Sequence, residues 1–277
     1  MGIITYNRAA ALSSTLAALD ALTTCALDVV VADDGSDDGT REVCSMFGAP
    51  CVSGPNRGPG INKNRALFWL LEETRADVIL LLEEDCRPAA LGWQWRFVEG
   101  ALRWGHVNWR RSMWEWFDER YRGDGTPSRP YWSDCVTGQA TASTRAALDA
   151  VGYLDTRLQG FGEEHVEWSH RFHKYFEWPR RTLSGWDCPI INAALAEADA
   201  GTYYDEAQTL RNQAIHADIA GEAIFRPAWR TTQERDELLD AIDTARGQAD
   251  TGDAAEAHIC QQRRDWAARH QAATGRP

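Results

Sequence analysis

Two apolar stretches that run straight into acidic residues constrain this chain more than any other feature. Residues 29–32 read Val-Val-Val-Ala and continue at 33–36 as Asp-Asp-Gly-Ser, and the apolar run 78–82 continues at 83–85 as Glu-Glu-Asp. Buried parallel strands have this continuous apolar composition, and their last residues reach the carboxyl edge of the sheet, where open α/β sheets bind ligands. The two acidic ends predict a site for a ligand that carries a metal ion or donates hydrogen bonds to carboxylates.

Composition narrows the class of protein. The chain has 277 residues and a net charge of −12, which disfavours broad non-specific binding of nucleic acids. No apolar run reaches the ~18 residues that span a membrane, and the first residues lack the features of a signal peptide. The seven scattered cysteines form no CxxC pair, which indicates reduced thiols, no zinc site and a cytoplasmic location.

Strand-like and helix-like segments alternate through the first 85 residues. Strands are predicted at 2–5, 27–32, 49–53 and 78–83, and helices at 9–22, 39–47 and 62–74. Such alternation is typical of βαβ units, so the predicted fold class is α/β with a mostly parallel sheet flanked by helices.

The rest of the chain is less regular. Further helices are predicted at 91–104, 145–151 and 163–176, strands at 136–143 and 189–192, and an irregular stretch at 106–133. Beyond residue 201 the sequence is polar and helical, with amphipathic helices predicted at 231–246 and 254–273. We expect one domain over 1–200, with a Trp-rich insert at about 104–135, and a helical extension over 201–277 that packs on the domain or mediates self-association.

The acidic strand ends have two interpretations each. An aspartate at 33 or 34 can accept a hydrogen bond from a nucleobase or a ribose hydroxyl, or it can close the strand in an Asx turn. The acids at 83–85 can hold Mg²⁺ or Mn²⁺ against a diphosphate, since such ions bind through one or two carboxylates and substrate phosphates. The alternative is a solvated acidic turn, which the crowding of three like charges makes unfavourable.

A third cluster begins at a turn with two glycines. Gly160 and Gly162 allow a tight turn, and Glu163, Glu164 and His165 then fall in the first turn of the predicted helix. The helix dipole there favours carboxylate over imidazolium, so both groups would be in the base form and could deprotonate a hydroxyl. The alternative is ordinary capping by acidic residues.

The Trp-rich insert could form an acceptor wall. Trp109 and Trp132 lie in a polar, Arg-rich stretch, and their faces could stack on sugars or bases. The arginines around them could line a groove for a single strand, or they could pair with neighbouring acids. Core packing is the alternative for the tryptophans.

Taken together, these segments resemble family 2 glycosyltransferases of the GT-A fold. The resemblance spans about residues 1–195 and rests on the order of five motifs: Ile-Thr-Tyr-Asn-Arg at 4–8, Asp-Asp-Gly-Ser at 33–36, Asn-Arg-Gly at 56–58 with Asn-Lys-Asn at 62–64, Glu-Glu-Asp at 83–85, and Gly-Phe-Gly-Glu-Glu-His at 160–165. It implies a Rossmann-like sheet, a nucleotide-sugar donor, usually a UDP-sugar, and inversion at the anomeric carbon.

The resemblance also assigns residues to the donor nucleotide. Tyr6 and Asp33 would contact the nucleobase region, and Asp34 would lie near the ribose or support that contact. Lys63 occupies a position near the uracil and the diphosphate, and Glu84 is grouped with the donor-binding residues.

For the metal, the resemblance implies Mn²⁺ or Mg²⁺ at the acidic motif. Asp85 is the surer ligand, because the family motif is Asp-x-Asp and Glu83 stands in its first position. Some relatives use a downstream histidine as a further ligand, and His216 is the candidate here.

The donor sugar and the acceptor would be bound nearby. Residues 137–139 resemble the strand that lines the donor sugar, which assigns Gly138 to the sugar site. Glu163, Trp109 and Trp132 are the other candidates for contact with the sugar or the acceptor.

The general base has two candidates. The segment at 160–165 is similar to the Gly-Trp-Gly-Gly-Glu-Asp segment of animal beta-galactosyltransferases, and a gap-free alignment puts Glu164 on their Glu and His165 on their Asp. Position favours His165, whereas the usual chemistry favours the carboxylate of Glu164.

The predicted function is a metal-dependent, inverting hexosyltransferase that acts on a hydroxyl of a glycan, a protein, a small molecule or a modified nucleic-acid base. Two alternatives are a nucleotidyltransferase with a similar core and a non-catalytic module that binds sugar nucleotides or glycans. A nucleotidyltransferase would usually carry a Gly-rich basic loop after the first strand, where this chain has Tyr-Asn-Arg at 6–8. The net negative charge of the chain does not favour nucleic acid as a partner.

Overall fold

The computed structural model of the chain describes residues 1–110, 123–180, 184–197 and 205–250. Eight strands form one central sheet, and a second sheet has two strands. The strands are β1 Gly2–Thr5, β2 Val30–Asp33, β3 Cys51–Ser53, β4 Val78–Glu83, β5 Cys86–Pro88, β6 His106–Trp109, β7 Tyr131–Ser133, β8 Ala140–Thr144, β9 Cys188–Ile191 and β10 Leu195–Glu197. The helices are α1 Ala9–Leu22, α2 Thr40–Phe47, α3 Pro59–Glu73, α4 Gln94–Trp104, α5 Arg145–Val151, α6 Glu164–Phe176, α7 Glu206–Ile219 and α8 Thr232–Asp250.

The central sheet has the order β3-β2-β1-β4-β8-β6-β9-β7. Its first four strands are parallel, as the alternating pattern predicts. β8 is antiparallel to both β4 and β6, and β7 is antiparallel to β9. The predicted α/β fold class is confirmed, and the sheet is parallel in its first half and mixed in its second.

The register brings the two acidic strand ends to the same edge. Thr5 at the end of β1 is paired with Asp33 of β2, and the neighbouring Ile4 is paired with Glu83 of β4. Adjacent strands lie about 4.8 Å apart, so both acidic ends flank the end of β1. Asn62 of α3 fixes this edge, because its amide donates to the carbonyls of Thr5 and Ala32.

Two apolar layers cover the sheet. Leu12 and Leu16 of α1 belong to one cluster together with Phe97 of α4. Helices α3, α5, α6 and α8 contribute to the other cluster, in which Trp168 and Phe172 are fully buried. None of the helices within the described ranges is long and apolar enough to cross a membrane.

Local patterns in the sequence located most of the helices and strands. Helices α1 and α5 and strands β1 and β4 have the predicted bounds. The interpretation of 106–133 as wholly irregular was wrong, because it contains β6 and β7. Both strands are short, and β6 carries the buried polar residues His106 and Asn108, which hide the usual apolar pattern.

The C-terminal region is part of the same packed unit. Leu238, Ala241, Ile242 and Ala245 of α8 are buried in the second cluster, as one of the two expectations for this region requires. Helix α7 was not delimited from the sequence. The predicted helix over 254–273 lies outside the described residues, and the division of the chain at residue 200 stays a prediction.

Candidate active site

Asp34 organises the loop that leads into α3. Its carboxylate accepts hydrogen bonds from the backbone N–H groups of Arg57, at 3.0 Å, and Gly58, at 2.8 Å. It also pairs with the buried guanidinium of Arg65 at 2.8 Å. Asp34 is therefore engaged by the protein on both oxygens, and its role toward a nucleotide stays a prediction.

Asp33 forms the predicted Asx turn. Its side chain is fully buried and accepts from the backbone N–H of Ser36, at 3.0 Å, and from the hydroxyl of Ser53, at 2.6 Å. Tyr6 stands at the same edge and is 45% exposed. Asn7 has a left-handed φ of 51° and donates its N–H to the Ser36 hydroxyl, which ties the loops after β1 and β2 together.

The acidic strand end, residues 83–85, lies among basic side chains. Arg8 is 3.4 Å from the carboxylate of Glu84 and 3.5 Å from that of Asp85. Burial and, to a smaller extent, the neighbouring charge of Glu83 raise the pKa of Glu84 to about 8, while Arg8 opposes the shift. Glu83 and Asp85 have side chains that are 27% and 19% exposed.

Lys63 joins this strand end to the start of α6. Its ammonium lies 3.2 Å from Glu83 Oε1 and 3.5 Å from Glu164 Oε1. Burial alone would lower the pKa of Lys63, but the two carboxylates outweigh burial and raise it. The acids of the sheet edge and the helix tip, defined here as residues 160–165, are thus brought together, as the sequence predicts.

Close backbone packing holds the helix tip against the loop before α3. Gly58 has a φ of 93°, and a Cβ there would lie only 2.7 Å from the backbone nitrogen of Gly160. Glu163 has a left-handed φ of 75°, so the chain turns sharply into α6. Gly60 faces Glu164, with 3.2 Å between a Cβ at Gly60 and the Glu164 Cβ.

Glu164 and His165 contact each other at the helix tip. His165 Nδ1 is 3.1 Å from Glu164 Oε1, and its Nε2 is 3.1 Å from the carbonyl oxygen of Val136. Both ring nitrogens of His165 therefore face oxygen atoms of the protein. Burial opposes ionisation of Glu164, but His165 and Lys63 outweigh it and lower the pKa of Glu164 to about 2.

Gly138 contacts the same histidine. Its φ is 71°, and a Cβ there would lie 2.7 Å from His165 Cγ. The backbone carbonyl of Gln139 also accepts from the N–H of Glu83 at 2.8 Å. The segment assigned to the donor sugar therefore lies between the acidic strand end and the helix tip.

Helix α7 supports the helix tip from outside. The amide of the fully buried Asn212 donates to the carbonyls of Gln159 at 3.0 Å and Gly162 at 2.7 Å. His216 Nδ1 lies 2.7 Å from Glu163 Oε1, and its Nε2 lies 3.1 Å from His170 Nδ1. The predicted sugar-binding Glu163 is thus held by α7.

The predicted metal ligands are not assembled as a set. His216 has both ring nitrogens in the contacts with Glu163 and His170, rather than in a group with Glu83 and Asp85. Among the residues that the structure describes, no group of three or more His, Cys, Asp or Glu side chains is arranged to hold a metal ion.

The two tryptophans assigned to the acceptor have core positions. Trp109 is buried and donates its indole N–H to the carbonyl of Ala193 at 3.3 Å. Trp132 is buried and packs edge-on against Trp104 with ring centroids 5.2 Å apart. Packing explains both residues, because their faces are covered by the apolar clusters, and we do not include them in the proposed site.

Three residues of this site were not assigned from the sequence. Arg8 belongs to the first motif, but nothing local shows that it faces the acids at 83–85. Arg65 lies in the middle of α3, and its pairing with Asp34 spans 31 residues. Asn212 could not be recognised from the sequence, because the polar and apolar residues of α7 do not separate into two faces.

Comparisons with known proteins agree with this architecture. Residues 2–94 match the family model for glycosyl transferase family 2. No curated protein sequence matches the chain. The mannosyltransferase PcManGT from Pyrobaculum calidifontis, solved with GDP-Man and Mn²⁺, is similar in structure with a TM-score of 0.57 and 17% identity, over 93% of this chain and 74% of that chain.

Two further solved structures share the fold. Glucosyl-3-phosphoglycerate synthase from Mycobacterium tuberculosis, in complex with Mn²⁺, UDP and glucosyl-3-phosphoglycerate, has a TM-score of 0.52 and 19% identity over 79% of this chain and 77% of that one. GalNAc-T7 with UDP, GalNAc and Mn²⁺ has a TM-score of 0.57 and 14% identity over 79% of this chain and 48% of that one.

The chain therefore has the GT-A type of fold that these solved glycosyltransferases have. Its first third, residues 2–94, is similar to glycosyl transferase family 2.

Proposed function

We propose that the chain transfers a hexosyl group from a nucleotide-sugar, in the first place a UDP-sugar, to a hydroxyl acceptor with inversion at the anomeric carbon. The observation that carries the proposal is the bridge from Glu83 through Lys63 to Glu164, with distances of 3.2 and 3.5 Å. A displacement at a sugar carbon requires a leaving-group site and a proton acceptor in one cleft, and this bridge supports such a cleft.

Glu83 and Asp85 are the residues that would hold a divalent cation. Both carboxylates are partly exposed, so an ion from solvent can reach them, and it would compete there with the cations of Lys63 and Arg8. Hard carboxylate oxygens suit Mg²⁺ and Mn²⁺, and one or two of them suffice when substrate phosphates complete the shell. When bound, the cation would neutralise charge on the diphosphate leaving group.

Glu164 is the better candidate for the general base. It is ionised, it lies at the helix tip, and its Oε2 has no hydrogen-bond partner among the described residues. Both ring nitrogens of His165 are already engaged, with Glu164 Oε1 and with the carbonyl of Val136. We therefore assign proton acceptance to Glu164, and we assign to His165 the role of holding the Glu164 carboxylate in its ionised form.

The nucleotide would bind over the ends of β1 and β2. Tyr6 is exposed there, Asp33 lies behind it, and Asp34 fixes the backbone of residues 57–58. The M. tuberculosis synthase and GalNAc-T7 were solved with UDP, whereas PcManGT was solved with GDP-Man. UDP-sugars are accordingly the first donors to test, with GDP-mannose beside them.

The test uses the full chain with Mn²⁺ and UDP-glucose, UDP-GalNAc or GDP-mannose. Release of nucleoside diphosphate is followed with and without simple hydroxyl acceptors. We expect Asp85→Asn and Glu83→Gln to lower turnover by about a hundredfold or more, because the leaving group loses its counter-charge. Glu164→Gln should abolish transfer to the acceptor while leaving part of the slow hydrolysis.

A matched control is Asp149→Asn, since Asp149 is an exposed acid on α5. This variant should turn over like the wild type. Full turnover of Asp85→Asn in EDTA would remove the metal-dependent mechanism. Retained anomeric configuration in the product, read by NMR, would overturn the proposed inversion. The acceptor class and a cytoplasmic location stay predictions.

A further inference from the structure

We propose that Lys63 couples the metal site to the general base: in the metal-free protein it is shared between Glu83 and Glu164, and a divalent cation competes with it for Glu83. This inference rests on the proposed function, because it takes Glu83 as a metal ligand and Glu164 as the base. It gives Lys63 a task in addition to the diphosphate contact that the family resemblance implies.

The geometry identifies Lys63 as the internal cation of the site. The residue lies near the start of α3, and its side chain is only 3% exposed. An ammonium buried to this degree requires counter-charges, which Glu83 and Glu164 supply at 3.2 and 3.5 Å. Within each carboxylate the contact uses one oxygen, Oε1.

The two carboxylates differ in what else can reach them. The side chain of Glu83 is 27% exposed, so an ion from solvent can approach it. The side chain of Glu164 is 3% exposed and already contacts His165. A metal ion therefore enters at Glu83, and its double charge repels the Lys63 ammonium from that side.

Displacement of Lys63 has a direct consequence for Glu164. Once the metal holds Glu83, Glu164 is the acidic partner left to the ammonium, and the Lys63–Glu164 pair becomes closer. Glu164 thus favours metal binding without touching the metal, because it supplies the alternative partner for Lys63. The same shift keeps the base ionised while the metal site is filled.

Arg8 offers an internal comparison. It is a second cation near the strand end, 3.4 Å from Glu84 and 3.5 Å from Asp85, and its side chain is 33% exposed. Its removal should also change metal affinity through its charge. Within the part of the chain that the structure describes, Arg8 forms its ion pairs with Glu84 and Asp85, so the effects of changing Arg8 and Glu164 should add.

The experiment is a double-mutant cycle in Mn²⁺ affinity. Free Mn²⁺ is measured by EPR during titration of the full-length protein without nucleotide. Lys63→Met should tighten binding by about tenfold, and Glu164→Gln should weaken it by about fivefold, because Lys63 then has only Glu83. In the Lys63→Met background, Glu164→Gln should change the affinity by less than about twofold.

The cycle separates coupling through Lys63 from simple attraction between Glu164 and the metal. If Glu164→Gln lowers the Mn²⁺ affinity equally with and without Lys63, the inference is overturned and the proposed function is left intact. The same cycle with Arg8→Met in place of Lys63→Met should be additive. Non-additivity there of the same size would also overturn the inference.

Folding is checked by thermal unfolding of each variant. If Lys63→Met does not fold, the isosteric Glu164→Gln variant decides alone, and an unchanged Mn²⁺ affinity would refute the coupling. If neither the wild type nor Lys63→Met binds Mn²⁺, the coupling is likewise refuted. The proposed metal dependence has a separate readout, which is loss of donor turnover in EDTA.

Discussion

Replacing Asn212 by alanine tests whether α7 positions the general base. The buried amide of Asn212 donates to the carbonyl of Gln159 at 3.0 Å, directly before the helix tip, and to that of Gly162 at 2.7 Å, within it. Each hydrogen bond contributes about 1 kcal/mol net, and the carbonyls left behind are buried. The variant should therefore lose about 2 kcal/mol in the free energy of unfolding.

The larger effect should be on turnover. The released segment carries Glu164, and a displacement of about 1 Å in a reacting group can cost a hundredfold in rate. We expect kcat to fall by about ten- to a hundredfold, whereas the KM for the donor should change little, because the proposed nucleotide site lies over β1 and β2. Urea unfolding gives the stability, and release of nucleoside diphosphate with acceptor gives kcat and KM.

Two variants of the same helix sharpen this test. Gln213→Ala removes the next, exposed side chain of α7 and should behave like the wild type. Asn212→Asp keeps the shape but replaces the donor by an acceptor that faces carbonyls, so its kcat should fall at least as far as that of the alanine variant. A destabilised Asn212→Ala with the wild-type kcat would show that α7 does not position the base.

Two other predictions concern the same edge of the sheet. Gly58→Ala should lose about 2–3 kcal/mol in the free energy of unfolding and most of its turnover, because φ is 93° and the new Cβ would meet the Gly160 nitrogen. Gly221→Ala, at a position with open space around it, is the control, and equal melting temperatures for the two variants would contradict the argument. The pKa of Glu84 is raised from 4.5 to about 8, so between these pH values the folded protein binds more protons than the unfolded chain. Its free energy of unfolding should therefore fall as the pH rises through this window, by up to about 4 kcal/mol in EDTA. In urea unfolding, Glu84→Gln should flatten this pH profile, and parallel profiles for the wild type and the variant would refute the assignment.

The sequence predicts the first half of the sheet well for a physical reason. Parallel strands buried on both faces must be apolar throughout, and β4, with five apolar residues before its acid, has the predicted bounds. The second half lacks this signal. In β6, the polar Asn108 and His106 are fully buried and bond to each other at 3.0 Å, and His106 also contacts the Ser143 hydroxyl of β8 at 2.8 Å, so side-chain hydrogen bonds replace the apolar pattern.

The candidate site was also predictable only in part. The acids at 33–34 and 83–85 could be located because each ends an apolar run, and strand ends of a parallel sheet share an edge. The contacts of these acids with other side chains could not be located from the sequence. Lys63 and Glu164 are 101 residues apart in sequence, and only the packing of α3 against α6 shows that they meet.

The proposed site crosses the boundary of the family match. The match covers residues 2–94, which include Lys63 and the acids proposed to bind the nucleotide and the metal. The proposed base comes from α6, and its support comes from α7, both beyond that segment. Under the proposed function, the matched segment has to fit a nucleotide and a metal ion, whereas the rest of the site has to deliver one carboxylate to Lys63. The weaker demand on sequence there is consistent with a similarity in fold over 93% of the chain and a family match that ends at residue 94.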